Sequence, residues 1–449
     1  MTERTPAEWR DRLLQKLERR QGEHARLRRY YDGDHTLPTA PDTASVPYLR
    51  LAELGVTNMC GLIVDTVVER LVPKGVRLTA TGDGDLDVWR DVWQANDLDG
   101  EMPVGFEESL KVGRCPMLIW PDETMPAGVR WTIEDPDETI VAYKPGDRRV
   151  RVAALKAFKD EDGTRYATVW VPDRVASWVK SPHDNEWRTD PDPAASGENP
   201  LAVVPVLELP SKMNVKGVPT PELSTSVLRL QDRINKTMFD AVVGTEDMAF
   251  PQRATIGIEI ENDADGNPIN PLRSGPSKVW VLDAVEGQES TAKIIQLEAF
   301  DPARLIAMAE ATIKQLAAVS KTSVFYVLAG LTNVGADTIR LAEAAHVGKI
   351  ASHKVRMGQV IEEGFKLALR AIGADVAADI ELDWAPSETR SPAELADAAI
   401  KMSQAGYPFA AIARYMGATQ PEVDRIERER MAATAAATSQ PPAPPVATA

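Results

Sequence analysis

The feature that most constrains the fold is a helical period that begins at Asp337 and persists through Val347, Ile350, Met357, Ile361, Phe365 and Ile372 to Gly373. Asp337 is a good cap, and the span predicts one helix of about 36 residues, on the order of 54 Å at about 1.5 Å per residue. Two more periodic segments precede it. A helix beginning after Pro221, with Glu222 in its first turn, carries Leu223, Val227, Leu230, Ile234, Met238 and Val242 in one stripe and runs to about Ala249. Another spans Pro302 to Ser320, with Pro302 in the first turn and Leu305, Ala309, Ile313 and Leu316 on one face. Between them, Gln252 to Phe300 reads as a small, locally acidic strand-and-turn module, with turn signals in ENDADGNP and RSGPS and strand signals in KVWVL and KIIQL. Residues 321–336, KTSVFYVLAGLTNVGA, lose the period and read as a loop.

The N-terminal half is of another kind. Residues 5–31 form an amphipathic helix with Leu13, Leu14, Leu17, Leu27 and Tyr30 at helical spacing, broken by Gly33 and Pro38. A second helix runs from Asn58, a cap, to Leu71, where Pro73 and Gly75 stop it. From Gly82 a turn enters a short helix that places Trp89 and Trp93 at i and i+4, both expected in the core. Short strands then dominate residues 106–210: CPMLIW at 115, VRWTIE at 129, VAALKAF at 152, YATVWV at 166 and LAVVPVLEL at 201, with a loop from Ser181 to Asn199. After the long helix come two or three short helices over 391–430. The Ala, Thr and Pro tail from about Ala432 has the composition of a disordered segment. The fold class is α+β and mainly helical.

Composition removes several functions. The chain has 449 residues and a net charge of -16, with 43% hydrophobic and 26% charged residues, which fits a protein that folds in water. It has no run of about 18 apolar residues and no apolar leader, so it is expected to avoid the membrane and stay in the cytoplasm where it is made. The acidic charge disfavours tight nucleic-acid binding along the whole surface, which rests on Lys and Arg neutralising phosphates, but allows a loose passage for DNA. Cys60 and Cys115 sit among apolar neighbours and read as buried thiols. His346 and His353 lie seven apart, two turns rather than the one turn a helical metal pair prefers, so they read as core or solvated residues. Asp83, Asp85 and Asp87 imitate a calcium loop, but Val88 replaces the turning Gly and Gln94 the bidentate Glu. Phosphate-loop and nucleophile-elbow motifs are absent from the sequence, so no catalytic residue, cofactor or metal is expected. Arg229, Arg233 and Lys236 share one face of their helix, either as a solvated face or as one turned to a polyanion or a neighbouring subunit.

Several pieces coincide in order: LRRYYDGDH from Leu27, NMCGLIVDTVVERLVPKGVR from Asn58, VWQANDLD from Val92, VGRCPMLIWPDE from Val112, QDRIN from Gln231 and FDPARL from Phe300. Together, over residues 8–372, they resemble the portal proteins of tailed bacteriophages, in the branch typical of phages of Gram-positive bacteria. The sequence departs from that pattern at Gly335 and Ala336, where Ser and Gly are common, and at Ser211 and Lys212, where Asn and Arg are usual.

The resemblance implies a wing over 1–221, stem helices over 222–251 and 301–320, a clip over 252–300 and a tunnel loop over 321–336. It further implies a long wing helix and return strand over 337–390, a crown over 391–431 and a disordered tail over 432–449. It implies a homo-oligomeric ring of about twelve copies at one capsid vertex of the virion, assembled in the host cytoplasm, since cyclic contacts close only at a fixed rotation. Double-stranded DNA would pass through it in packaging and ejection. Its partners would be the terminase large subunit, neck or adaptor proteins, and the major capsid and scaffolding proteins. Lys321 and Asn333 in the loop, with Arg229, Arg233 and Lys236 on the stem, would face DNA, and Ile258, Asp283 and Ile295 in the clip would meet the motor and neck. For the loop, the competing reading is a plain connection in which Phe325, Tyr326 and Leu328 pack. For the chain, the alternatives are another virion structural protein, such as a minor capsid or adaptor subunit, or a nucleic-acid-processing enzyme.

Overall fold

The long period forms a single helix, Ala336–Ala371, of 36 residues. The structure, a computed structural model, describes residues 4–35, 46–78, 86–184, 186–249, 253–256, 293–296, 301–327, 336–374, 380–388, 392–418 and 420–438. Helices within them are α1 (Pro6–Asp32), α2 (Val46–Leu54), α3 (Cys60–Val68), α4 (Leu86–Ala95), α5 (Leu98–Val112) and α6 (Thr225–Ala249). They continue with α7 (Pro302–Ser320), α8 (Val324–Val327), α9 (Ala336–Ala371), α10 (Pro392–Gln404), α11 (Phe409–Tyr415) and α12 (Gln420–Thr438). Strands are β1 (Pro73–Leu78), β2 (Arg114–Pro121), β3 (Val129–Ile133), β4 (Thr139–Lys144), β5 (Asp147–Lys159), β6 (Arg165–Trp170), β7 (Arg174–Lys180) and β8 (Arg188–Thr189). The rest are β9 (Gly197–Glu198), β10 (Val206–Pro210), β11 (Lys212–Met213), β12 (Pro219–Thr220), β13 (Arg253–Ile256), β14 (Lys293–Gln296) and β15 (Ile380–Trp384). All described strand pairs are antiparallel, and the class is α+β as expected. The chain divides into two compact units: residues 1–31, 62–224 and 321–449 form one, and residues 32–61 and 225–320 the other.

In the first unit the strand period of two decides which side of the sheet β4-β5-β6-β7-β8 meets which neighbour. Ile140, Ala142, Ala153, Leu155, Ala167 and Val169 point to one face, where Leu13 and Leu17 of α1 pack on them. The alternating Val141, Ala154, Trp170 and Val175 point to the other, against Val204 and Val206. A second sheet, β10-β2-β3, pairs Ile119 with Trp131 and Leu118 with Val206, and β1 pairs with β15, the expected return strand. The long helix crosses close over the second sheet. Phe365 meets Trp131 edge-on at 5.1 Å between centroids and stacks on Trp93 at 6.1 Å. Gly364 permits this approach: a Cβ there would lie 2.4 Å from Trp131 Cη2.

Three of the described helices escape the sequence reading: α2, α8 inside the segment read as a loop, and α5, whose last residues fall where short strands were expected. Gly105 of α5 is a contact point, since a Cβ on it would lie 3.2 Å from Ile133 Cδ1. Asn58 caps α3 as expected, its Oδ1 accepting from the Cys60 and Gly61 amides at 3.0 and 3.2 Å. Trp93 is buried as expected, while the side chain of Trp89 lies outside the described residues. The 181–199 segment is mostly irregular but contributes the short strands β8 and β9 to the large sheet. Three helices occupy the 391–430 region, and α12 continues to Thr438, into the segment whose composition suggested disorder. Alanine, the best helix former, accounts for that extension.

The second unit is built on α6 and α7. Pro302–Ser320 matches the expected helix residue for residue, with Ala309, Ile313 and Leu316 buried. The first of the pair starts later than its period suggested, at Thr225, so Glu222 precedes the helix instead of occupying its first turn. The ladder of β13 and β14, Arg253 opposite Gln296 to Ile256 opposite Lys293, brackets the insert. KIIQL thus contributes a strand, while KVWVL lies outside the described residues.

Candidate functional site: the polar hubs around the helical hairpin

The apolar stripe of α6 is interrupted by two buried amides one turn apart, Gln231 and Asn235, which the sequence reading passed over. Asn235 Oδ1 accepts from the Thr57 amide at 3.2 Å and from Gln231 Nε2 at 2.9 Å. Its Nδ2 lies 2.8 Å from His35 Nδ1, so the amide donates to an unprotonated ring nitrogen. Gln231 Oε1 accepts from the Met59 amide at 2.9 Å. Cys60 Sγ lies 3.7 Å from the same oxygen, and burial pushes that thiol up to about 12, with the charge of Asp232 adding to the effect. Three of the quoted sequence pieces, around His35, Asn58 and Gln231, therefore converge on one hub inside the second unit. Each amide satisfies backbone groups that the packing has removed from water, which is why polar side chains occupy core positions here. The signal was present: Gln231 and Asn235 flank Val227, Leu228 and Ile234 within the buried arc.

A second hub lies in the first unit, where the chain leaves for α6 at Glu222 and returns from α7 at Lys321. The Glu222 side chain is wholly buried; its Oε1 lies 2.9 Å from His353 Nε2 and 2.8 Å from Lys212 Nζ. Lys349 Nζ lies 3.7 Å from Oε2, an ion pair too long for a hydrogen bond. Burial alone would raise the carboxyl, but the His353 hydrogen bond and the charges of Lys349 and Lys212 outweigh it and hold it at about 2. Burial lowers Lys349 to about 8 despite the attraction of Glu222, and lowers His353 below the ordinary histidine value. His353 is accordingly neutral and donates from Nε2 to a carboxylate.

One turn and more before this, His346 sits with Nδ1 3.1 Å from the Lys321 carbonyl and Nε2 3.3 Å from that of Thr66. Burial lowers it too, so a neutral ring donates to one carbonyl at a time. Lys354, lowered to about 8 by burial and by Arg70, donates to the Ala385 carbonyl at 2.6 Å and Ser387 Oγ at 2.7 Å. Both histidines of the long helix thus have a core role, one of the two readings their spacing allowed. The helix binds three irregular segments through buried polar side chains.

The residues singled out from the sequence fall as follows. Arg229, Arg233 and Lys236 share the exposed face of α6, with Arg233 hydrogen-bonded to Gln315 of α7 and Lys236 paired with Asp240. Lys321 belongs to the other unit; its side chain is exposed and its backbone is left-handed, φ 53°, just past the end of α7. The segment after it is not wholly a loop, since Val324–Val327 makes one helical turn, and Tyr326 donates to Glu343 of α9 at 2.7 Å. Ile295 is in β14, opposite Ala254, while Ile258, Asp283 and Asn333 lie outside the described residues. Among the described residues no group of three or more His, Cys, Asp or Glu side chains could hold a metal ion, and no helix is long and apolar enough to cross a membrane.

The LRRYYDGDH piece also has a structural account. Arg28 donates to Glu108 of α5 at 2.8 Å and to Asp135 at 2.8 Å, and pairs with Asp137, which also lies 2.6 Å from His24 Nδ1. One planar guanidinium with several donors joins α1, α5 and the turn before β4.

A family profile described as phage portal protein, SPP1 Gp6-like, matches residues 10–431. The portal protein of Mycobacterium phage L5 is 27% identical over 418 residues, covering 88% of this chain and 82% of its own length. The portal protein of Mycobacterium phage D29 is 26% identical over 362 residues, covering 76% of this chain and 71% of its own.

Proposed function

This chain belongs to the phage portal proteins of the SPP1 Gp6-like family, and from that membership we propose that it closes into a ring of about twelve copies around a passage for double-stranded DNA. The ring occupies one vertex of the capsid, where a separate motor fills the head and through which the genome later leaves. The observation that carries this reading is the family match over nearly the whole chain.

In this reading residues 1–221 and 337–390 form the wing, 222–251 and 301–320 the stem, 252–300 the clip and 391–431 the crown. The exposed α6 face bearing Arg229, Arg233 and Lys236, together with Lys321 and Asn333 of the 321–336 segment, lines the passage. Two of the three α6 cations already have partners, Gln315 and Asp240. That supports a sparsely basic wall: in an acidic protein few counterions are released per passing phosphate, so DNA slides instead of sticking. The clip, with Ile258, Asp283 and Ile295, meets the terminase large subunit during filling and neck or adaptor proteins afterwards, and the wing meets capsid and scaffolding proteins. The protein supplies the passage and the docking sites, and the nucleotide chemistry belongs to its partner.

Negative-stain images of the purified full chain test the proposal. Rings with a central hole are expected, together with no ATPase or nuclease activity in the presence of Mg²⁺. Globular monomers at micromolar concentration would overturn it.

A further inference from the structure

A ring of identical copies needs two different complementary patches on each subunit, one for each neighbour. Resting on the ring reading, we propose that the β11–β12 hairpin of each subunit seats in an acidic, aromatic-walled cleft of the first unit of the next copy. The hairpin is an exposed, apolar and basic tip. Asn214 closes its turn, with the carbonyl accepting from the Gly217 amide at 2.9 Å and Oδ1 from the Val218 amide at 3.0 Å. Gly217, at φ 76°, completes the reversal. Val215 at the apex is 95% exposed, with Met213 at 42% and Val218 at 48% beside it. Arg148 holds the turn through the Asn214 and Val215 carbonyls, which brings the β4–β5 turn alongside. Lys216, Arg148 and Arg149 are all exposed there, with Asp147 the acid on that turn. An apolar apex ringed by cations is out of character in a chain of net charge -16, and a water-exposed apolar cluster of this kind marks an interaction site.

The receiving cleft has the opposite character. It has a volume of about 520 Å³, with Val72, Trp93 and Met102 in its walls and Asp65, Glu69, Asp99 and Glu107 around them. Internal contacts orient two of these acids without neutralising them. Asp65 accepts from Tyr31 Oη at 2.8 Å and Asp99 from Trp93 Nε1 at 2.7 Å, both neutral donors. Among the described residues, Glu107 alone of the four pairs with a cation, Lys111. Val72 is 41% exposed at the mouth, so an entering valine covers apolar surface while Lys216 meets the carboxylates. The occupant is a second copy of this chain because the two patches complement each other in charge and polarity, and because two acidic subunits need such a pair to approach closely.

The test uses two variants of the full chain. Val215→Glu with Lys216→Glu makes both patches of a subunit acidic, and Glu69→Lys with Glu107→Lys makes both basic. Each variant alone is expected to lose rings at least tenfold in native mass spectrometry and negative stain at low salt, while keeping the wild-type far-UV circular dichroism. Mixing the two is expected to restore rings of alternating 1:1 composition, because each acidic tip then meets a basic cleft and each basic tip an acidic one. Rings from either variant alone at wild-type yield would overturn the inference and leave the portal reading intact. So would a mixture that fails to assemble from two folded chains. Should a double variant lose its fold, Lys216→Glu and Glu69→Lys, both at exposed positions, carry the same comparison. Absence of rings from the wild type would overturn the ring reading, and this contact with it.

Discussion

Replacing Glu222 by Gln removes one negative charge from a place where two lysines and a histidine are arranged around it. The carboxyl is held at about 2 instead of its ordinary 4.5, and at about 1.36 kcal/mol per unit this corresponds to about 3 kcal/mol of stability at neutral pH. That agrees with the cost of about 3–5 kcal/mol for breaking a buried ion pair from one side, since Lys349 would remain buried without its counter-charge. The sign in pH is fixed by the lowered carboxyl: its contribution is complete above the unfolded value and disappears as pH falls from 4.5 towards 2. His353, also lowered, weakens the fold in the same direction, beginning below its ordinary value. Urea unfolding followed by tryptophan fluorescence is the assay, because every tryptophan except Trp280 belongs to the first unit. Glu222→Gln is expected to lower stability by about 3 kcal/mol at pH 7, with the difference shrinking below pH 4.5 and converging with wild type only near pH 2. Adding Lys349→Met should recover much of the loss by removing the orphaned charge. A loss below about 1 kcal/mol at pH 7, or a difference that does not shrink in acid, would refute the reasoning.

Gly364→Ala should cost about 1–3 kcal/mol or more, because its methyl would overlap the Trp131 ring; a melting temperature equal to wild type would show that the long helix does not pass so close. Asn235→Ala removes acceptors and donors for Thr57, Gln231 and His35 at a buried site, so about 2–3 kcal/mol should be lost locally, read as faster hydrogen exchange at residues 57–60. Replacing Lys321 and Asn333 together by Ala should leave ring assembly intact and reduce the length or yield of packaged DNA, and wild-type packaging would return the segment to a structural role. Deleting Ile258 to Ile295 with a short linker should abolish motor docking while the wing folds, as judged by its tryptophan spectrum; normal motor binding would sink the clip assignment.

What the sequence determined by itself is the set of elements whose burial is one-sided. The 36-residue period of the long helix, the Pro302–Ser320 helix and the alternation in VAALKAF and YATVWV all became elements near their expected bounds. A single face meeting apolar neighbours imposes its period on the chain directly. The order of the quoted motifs was equally legible, and it carried the family. Tertiary structure alone decided what happens where a residue's role depends on a partner far away in the chain. Gly105 and Gly364 are contact points that no local pattern announces, because the space they leave belongs to Ile133 and Trp131. Glu222 looked like a first-turn acid and proved to be a buried counter-charge for residues more than a hundred positions away. Gln231 and Asn235 lie within the apolar arc of their helix, but their role was not readable there, since a buried amide is favourable only when distant backbone groups need it. Helical and strand periods are local properties of a chain, whereas desolvation and the pairing that offsets it arise only once the chain has closed on itself.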